Sequence, residues 1–239
     1  MASRDPLRPN ILYIVSDDQG AWALGCAGNN EIRTPVLDRL AAAGVRFENF
    51  FCTSPVCSPA RASILTGDIP SRHGVQDWIR AGSMGESRID YLAGQRLLTD
   101  VFADNGYRCG LIGNWHLGAS DAPRPNYVKW FAHQAGMGPY YDAPMVDGDQ
   151  PVTVSGYITD ELASSAAQFV TEEAERPEPF WLSLNFTVRT IHGSTRIRRN
   201  SPTSIKIAPS HPALTNRRIR ISRAAMPPLP RGTSSAVTA

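Results

Sequence analysis

The sequence predicts an α/β fold. Residues 11–15 form a short apolar run of β-branched and aromatic side chains, which is the composition of a buried strand. A second short apolar run lies at 111–113, and a third strand-like run covers 179–187. Helix-like segments at 34–44 and 157–170 separate these runs. Strands that alternate with helices are typical of a sheet packed against helices.

Two adjacent carboxylates follow the first predicted strand. Asp17 and Asp18 come just after Val15. Ligands of open α/β sheets bind at the carboxyl ends of the strands, and a divalent cation such as Ca²⁺ would relieve the repulsion between two carboxylates. The pair therefore predicts a metal site. On spacing alone it is equally consistent with two residues that cap the next turn.

The segment from Thr34 to Phe51 has the pattern of scaffold. Thr34 and Pro35 indicate the start of an amphipathic helix, and Gly44 indicates its end. The residues that follow, through Phe51, predict a strand that leads into the next loop.

A cysteine followed at fixed spacing by proline and arginine is the most informative motif in the chain. Residues 57–61 read Cys-Ser-Pro-Ala-Arg, and the run continues through Leu-Thr-Gly to Gly67. Pro59 suits the first turn of a helix, where its missing N–H costs nothing. Arg61, four residues after Cys57, would lie on the same helix face, and the helix dipole would favour an anion at Cys57. The isolated pattern is also consistent with a buried cysteine at a loop-to-helix junction.

A histidine lies just after the second strand-like run. Residues 111–118 read Leu-Ile-Gly-Asn-Trp-His-Leu-Gly and place His116 among glycines. A lone histidine is more often structural than catalytic, so its position relative to the other motifs decides its role. The next segment, 119–150, is rich in Pro, Gly, Tyr and Asp and predicts long loops.

Taken together and in this order, the motifs resemble the type I sulfatase family, in which a formylglycine-generating enzyme oxidises the cysteine to formylglycine. The resemblance covers roughly residues 8–188 and includes the Pro-Ser-Arg-His-Gly-Val run at 70–75. It implies an alkaline-phosphatase-like α/β fold, in which a large mixed sheet is flanked by helices.

The resemblance also implies roles for five residues. Asp17 and Asp18 match the paired Ca²⁺ ligands of the family. Cys57 matches the formylglycine precursor, which also approaches the metal. Arg61 matches the arginine that holds the formylglycine hydrate and offsets its charge, and His116 matches the histidine that hydrogen-bonds the hydrate.

The reaction implied is the hydrolysis of sulfate esters, on a small molecule or a sulfated glycan. Charge builds on the sulfate and leaving oxygens, so a divalent metal and fixed cations are the expected stabilisers. One hydroxyl of a geminal diol attacks sulfur, and the other lets the diol collapse to the aldehyde and expel sulfate. A phosphonate or phosphodiester hydrolase of the same superfamily is the alternative, because it can share the formylglycine motif.

One residue within the motifs departs from the family pattern. Asn114 stands where the family usually has a lysine that contacts the sulfate and the formylglycine. Asparagine keeps hydrogen-bonding capacity but carries no charge. Loss of one preorganised oxyanion donor costs on the order of 10²–10³ in rate, which predicts impaired activity.

The charge pattern divides the chain into 1–188, a sulfatase-like portion of a catalytic domain, and a basic tail, 189–239. The first part has 14 basic and 22 acidic residues, whereas the tail has 10 basic residues, no acid and no aromatic residue. A proline-rich segment of this kind cannot bury enough apolar surface to order itself, so we expect disorder. A non-catalytic protein whose tail binds nucleic acid is a further alternative. No aromatic residue interleaves the cations, so stacking on single strands is not expected. The alternative is disfavoured because out-of-frame translation of GC-rich DNA readily yields Arg, Pro, Ser and Ala.

The genetic code offers a specific origin for the tail. Residues Val188 to Gly193 can be encoded GTC CGC ACC ATC CAT GG, and one inserted C gives GTC CCG CAC CAT CCA TGG. The second reading encodes Val-Pro-His-His-Pro-Trp, the type of segment with which the family continues. We hypothesise a one-base deletion after Val188, which resequencing would settle. On this hypothesis the catalytic domain is truncated, lacks later metal and sulfate ligands, and is inactive or impaired.

Composition bounds the remaining possibilities. Four cysteines in 239 residues are too few for a disulfide scaffold. No apolar run reaches membrane-spanning length, and the first nine residues lack the apolar core of a signal peptide, so we expect a cytoplasmic protein as the sequence is written. Export is the alternative, because many members of the family that the motifs resemble are exported.

Overall fold

A computed structural model describes residues 7–187 as six strands and five α-helices, with short 3₁₀ helices at Gly25–Ala27 and Gly85–Ser87. The strands are β1 (Ile11–Val15), β2 (Arg108–Gly113), β3 (Tyr127–His133), β4 (Tyr141–Asp147), β5 (Gln150–Tyr157) and β6 (Phe180–Asn185). The helices are α1 (Pro35–Ala43), α2 (Cys57–Thr66), α3 (Pro70–His73), α4 (Leu98–Asp104) and α5 (Ile158–Ala174).

The six strands form one mixed sheet in the order β1-β6-β2-β3-β4-β5. Strands β1, β6, β2 and β3 are parallel, and β3, β4 and β5 continue as an antiparallel meander. All six residues of β6 are buried, as expected for an inner parallel strand with both faces covered. The predicted α/β fold, with a mixed sheet flanked by helices, is confirmed.

Two apolar cores lie on opposite faces of the sheet, because successive residues of a strand point to opposite sides. Leu111 belongs to the core that contains Ala62 of α2. Its neighbour Ile112 belongs to the core that contains Leu162 and Phe169 of α5. Helix α2 therefore packs on one face of the sheet. Its first residue, Cys57, lies at the ends of the strands.

The strand predicted after Gly44 is not formed. Residues 45–51 have no regular secondary structure, and Val45, Phe47 and Phe51 are at least 72% exposed. A strand needs a hydrogen-bonding neighbour, and none of the strands within 7–187 pairs with this segment. The helix before it is confirmed as α1, which ends at Ala43 before Gly44.

The prediction of long loops over 119–150 is wrong. Strands β3 and β4 and the start of β5 occupy most of this range. Gly148, with a φ of 63°, makes the tight turn between β4 and β5. Pro151 is accommodated because β5 is an edge strand, whose free edge needs no N–H donor.

The predictions for the tail, 189–239, lie outside the described residues. Within 7–187 no helix combines the length and the apolar character needed to cross a bilayer.

Candidate active site

The parallel strands bring polar side chains together at one edge of the sheet. Asp17 follows β1, Asn185 ends β6, Asn114 and His116 follow β2, and His133 ends β3. All five of these side chains are buried, each at 7% exposure or less. Carboxyl ends of adjacent parallel strands are where α/β folds build ligand sites.

Helix α2 delivers Cys57 to this edge. Val56 has an extended conformation and Cys57 is the first helical residue, so the expected loop-to-helix junction is confirmed. The half-buried Sγ of Cys57 lies 3.1 Å from Nδ1 of His116. Four residues along the helix, Arg61 is buried and turns back into the same site.

The hydrogen bonds of His116 fix its tautomer. Its Nε2 lies 3.0 Å from the backbone oxygen of Ile79, which can only accept, so Nε2 carries the proton. Burial lowers the pKa of His116, which keeps the ring neutral near pH 7. Nδ1 therefore presents a lone pair to Cys57 and acts as an acceptor there.

The environment keeps the Cys57 thiol protonated. Burial and, secondarily, the negative charge of Asp17 raise the pKa of Cys57, and the opposing effect of Arg61 is smaller. Because the thiolate is the reactive form of cysteine, an unmodified Cys57 is a weak nucleophile at neutral pH.

Arg61 and Asp17 form a buried ion pair. Nη2 of Arg61 donates to Oδ2 of Asp17 at 2.7 Å, and both side chains are less than 10% exposed. Nη1 of Arg61 donates to the backbone oxygen of Asn114 at 3.0 Å. The guanidinium thus ties the end of β1 to the loop that carries His116.

Asn114 lies at the centre of this network. Its Nδ2 is 3.4 Å from Oδ2 of Asp17, and its backbone oxygen also accepts from Nδ2 of Asn185 at 3.0 Å. Oδ1 of Asn114 and Nε of Arg61 have no hydrogen-bond partner among the described residues. Gly113 is required here, because a Cβ on it would lie 1.9 Å from the backbone oxygen of Asn185.

The described residues do not fit Ca²⁺ by themselves. Asp18 is exposed, and Oδ2 of Asp17 already accepts a hydrogen bond from Arg61. Within 7–187 there is no group of three or more His, Cys, Asp or Glu side chains that could hold a metal. Ca²⁺ takes six to eight oxygen ligands, so two carboxylates leave the shell incomplete.

His133 is a buried polar residue that sequence reasoning missed. Neither ring nitrogen has a hydrogen-bond partner within 7–187, and burial, with a smaller effect of Arg61, lowers its pKa to about 4. The signal was its place at the end of β3, and the loop interpretation of 119–150 concealed it. Of the predicted site residues, Asp17 contacts Arg61 and Cys57 contacts His116, whereas Asp18 is exposed.

The site combines a mixed α/β sheet, a helix that begins at a cysteine, a buried arginine and a histidine at the ends of the parallel strands. These features indicate a class of hydrolase, and comparison with known proteins identifies the family. The sulfatase family model matches residues 9–187. The chain belongs to the sulfatase family.

Curated relatives share this segment at moderate identity. The steryl-sulfatase of Homo sapiens is 43% identical over 119 residues, which are 47% of this chain and 20% of the relative. The N-acetylglucosamine-6-O-sulfatase of Bacteroides thetaiotaomicron is 30% identical over 173 residues, which are 72% of this chain and 29% of the relative. The chain thus spans less than a third of the length of these relatives.

Solved structures show the same fold. One, determined with its substrate D-glucosamine-2-N,6-O-disulfate, is 27% identical with a TM-score of 0.66, and the match covers 77% of this chain and 35% of that one. Another, Ps i-CgsB with k-i-k-neocarrahexaose, is 25% identical with a TM-score of 0.68, and the match covers 77% of this chain and 46% of that one.

Proposed function

We propose that this chain carries the nucleophile end of a sulfuric ester hydrolase, with formylglycine made from Cys57. The observation that carries the proposal is the contact between Sγ of Cys57 and Nδ1 of a neutral His116 at 3.1 Å. It occurs at the first residue of a helix whose next turn supplies a buried arginine. Membership of the sulfatase family supports the reaction class.

Membership of the sulfatase family supports formylglycine, rather than the thiol itself, as the proposed nucleophile at position 57. A neutral thiol attacks poorly, so the residue needs another nucleophilic form. Oxidised to formylglycine, position 57 would supply a geminal diol, whose hydroxyls provide both attack on sulfur and an exit for sulfate.

The chain's own residues have distinct parts in this proposal. His116, held by Ile79 with Nδ1 as the acceptor, is oriented to take a proton from a hydroxyl group on residue 57. Arg61 supplies a permanent positive charge near that residue, which partly offsets the effect of Asp17 on an anion there. Asp17 keeps the guanidinium in place through the 2.7 Å ion pair.

Asp17 and Asp18 as ligands of Ca²⁺ remain part of the proposal, but no step is assigned to the ion because the described residues do not complete its shell. We further propose that hydrolysis by the isolated chain is slow. Asn114 has no charge to offer where the family has a lysine, a deficit on the order of 10²–10³ in rate.

Sulfated sugars are the proposed substrates, and a formylglycine-generating enzyme is the proposed modifying partner. Support comes from the curated relative that is an N-acetylglucosamine-6-O-sulfatase and from the structures solved with D-glucosamine-2-N,6-O-disulfate and with k-i-k-neocarrahexaose. The phosphonate and phosphodiester hydrolases remain the competing class, and they are separated from sulfatases by assay.

The test begins with the full chain co-expressed with a formylglycine-generating enzyme. We expect mass spectrometry to show that residue 57 has lost its sulfur atom. We also expect slow sulfate release from p-nitrophenyl sulfate or glucosamine 6-sulfate that Cys57→Ala abolishes. Unmodified Cys57 in the presence of the enzyme, or hydrolysis that survives Cys57→Ala, refutes the proposal. Faster turnover of a phosphonate or phosphodiester than of the sulfates favours the competing class.

A further inference from the structure

A cavity of about 300 Å³ adjoins the site and is lined by the loop of residues 74–81 together with Tyr91. Two backbone groups of one residue fix this loop to the site. The oxygen of Ile79 accepts from His116, and its N–H donates to the buried Oγ of Ser58 at 3.2 Å. Residues 78 and 80, on either side of Ile79, are therefore held near Cys57, and both are exposed.

Trp78 connects the cavity to the reacting residues. Its ring lies edge-on to the ring of His116, with centroids 5.8 Å apart and an interplanar angle of 77°. It is nevertheless 38% exposed, which leaves part of the indole open to solvent. A large aromatic side chain that is partly exposed next to a candidate proton acceptor has the properties of a platform for a ring.

Arg80 places a cation beside this platform. Its guanidinium carbon lies 5.7 Å from the centroid of the Trp78 ring, a cation–π arrangement, and the side chain is exposed. No carboxylate forms an ion pair with Arg80 among residues 7–187. Guanidinium groups that stack on an aromatic ring keep their fork of donors available for a sulfate or carboxylate.

We infer that Trp78 and Arg80 form the subsite for the organic part of the substrate, a sugar ring that bears a second anionic group besides the scissile sulfate. The inference rests on the proposed function, because it takes residue 57 as the point where the scissile sulfate sits. The ring packs on the indole of Trp78, and the second anionic group binds Arg80.

Asp77 defines the orientation of this ligand. Its Oδ1 accepts from the backbone N–H of Trp78 at 2.7 Å, so one carboxylate oxygen is turned to the backbone. The carboxylate of Asp77 lines the same cavity, and its negative charge disfavours an anion next to it. The second anionic group therefore binds at Arg80 and not at Asp77.

The test measures ligand binding to the full chain by isothermal titration, so it does not depend on turnover. The probes are inorganic sulfate, glucosamine 6-sulfate, D-glucosamine-2-N,6-O-disulfate and p-nitrophenyl sulfate. We expect Trp78→Leu to weaken the affinity for both sugars by about fivefold to tenfold and to leave the affinity for inorganic sulfate unchanged. We expect Trp78→Phe to restore the affinity for the sugars. We expect Arg80→Gln to abolish the preference for the disulfate over the monosulfate, and Arg80→Lys to retain part of it.

Trp22→Leu is the matched control, since Trp22 is 74% exposed and does not line the cavity. Sugar affinities equal to that of sulfate, or unchanged in Trp78→Leu, overturn the subsite. A preference for p-nitrophenyl sulfate over both sugars, or a disulfate preference that survives Arg80→Gln, overturns the ligand class. Failure of Cys57 to be modified refutes the proposed function without altering these binding results, so the two failures are distinguishable.

Discussion

Gly136 is the residue whose substitution tests the site geometry most directly. A Cβ built on Gly136 lies 2.0 Å from Nε2 of His116 and 2.2 Å from its Cε1, whereas ordinary contacts are 3.4–4 Å. Gly136→Ala therefore requires the imidazole, or the loop that carries residue 136, to move by about 1.4 Å. A movement of the ring breaks its contacts with Ile79 and Cys57 together.

The cost follows from the groups left without partners. Nε2 and the oxygen of Ile79 are joined at 3.0 Å in a buried site, and an unsatisfied buried group costs about 1–3 kcal/mol. Overpacking adds a similar amount, and the reduced entropy of the unfolded chain returns less than about 1 kcal/mol. We expect Gly136→Ala to lower the free energy of unfolding by about 3 kcal/mol.

The assay is urea unfolding of the full chain, combined with the NMR chemical shifts of the His116 ring. Gly138→Ala is the matched control, because a Cβ there meets its nearest neighbour, Nδ1 of His133, at an ordinary 3.5 Å. We expect this control to unfold within about 0.5 kcal/mol of the parent and to leave His116 unmoved. Equal unfolding midpoints for the two variants, with unchanged His116 shifts, would refute the placement of the imidazole against residue 136.

Three further predictions concern charge. Asp17→Asn leaves Arg61 unpaired and should cost about 3 kcal/mol in urea unfolding, whereas exposed Asp18→Asn should cost less than about 0.5, and similar losses would contradict a buried ion pair. The folded pKa of His133, about 4, lies below its ordinary 6.5, so stability is full above pH 6.5 and falls as the pH drops towards 4, by up to about 3 kcal/mol. His133→Phe should remove that part of the pH dependence, and an unchanged pH profile would contradict the assignment of His133 as the titrating group. In the formylglycine-containing chain, Asn114→Lys should raise kcat/KM for sulfate esters by on the order of 10², and a value no higher than the parent's would show that the missing charge is not limiting.

The local motifs could be predicted from the sequence because they depend on interactions between near neighbours along the chain. The spacing of Pro59 and Arg61 after Cys57 predicted a helix that begins at the cysteine, since a first-turn proline and an i, i+4 arginine depend only on neighbours along the chain. The position of Asp17 after β1 likewise predicted a polar group at a strand end. Where a segment needs a distant partner, as 45–51 does, composition alone predicted a strand that does not form.

The sequence by itself determined the family, the α/β class and the order of the motifs along the chain. Only the tertiary structure decided that His116 contacts Cys57 and that Arg61 is paired with Asp17. It also decided that the ring of Trp78 lies beside the imidazole of His116. The reason is the strand order β1-β6-β2-β3, which brings together residues that are many tens of positions apart. Which strands become neighbours depends on packing over the whole sheet, and no window of sequence contains that information.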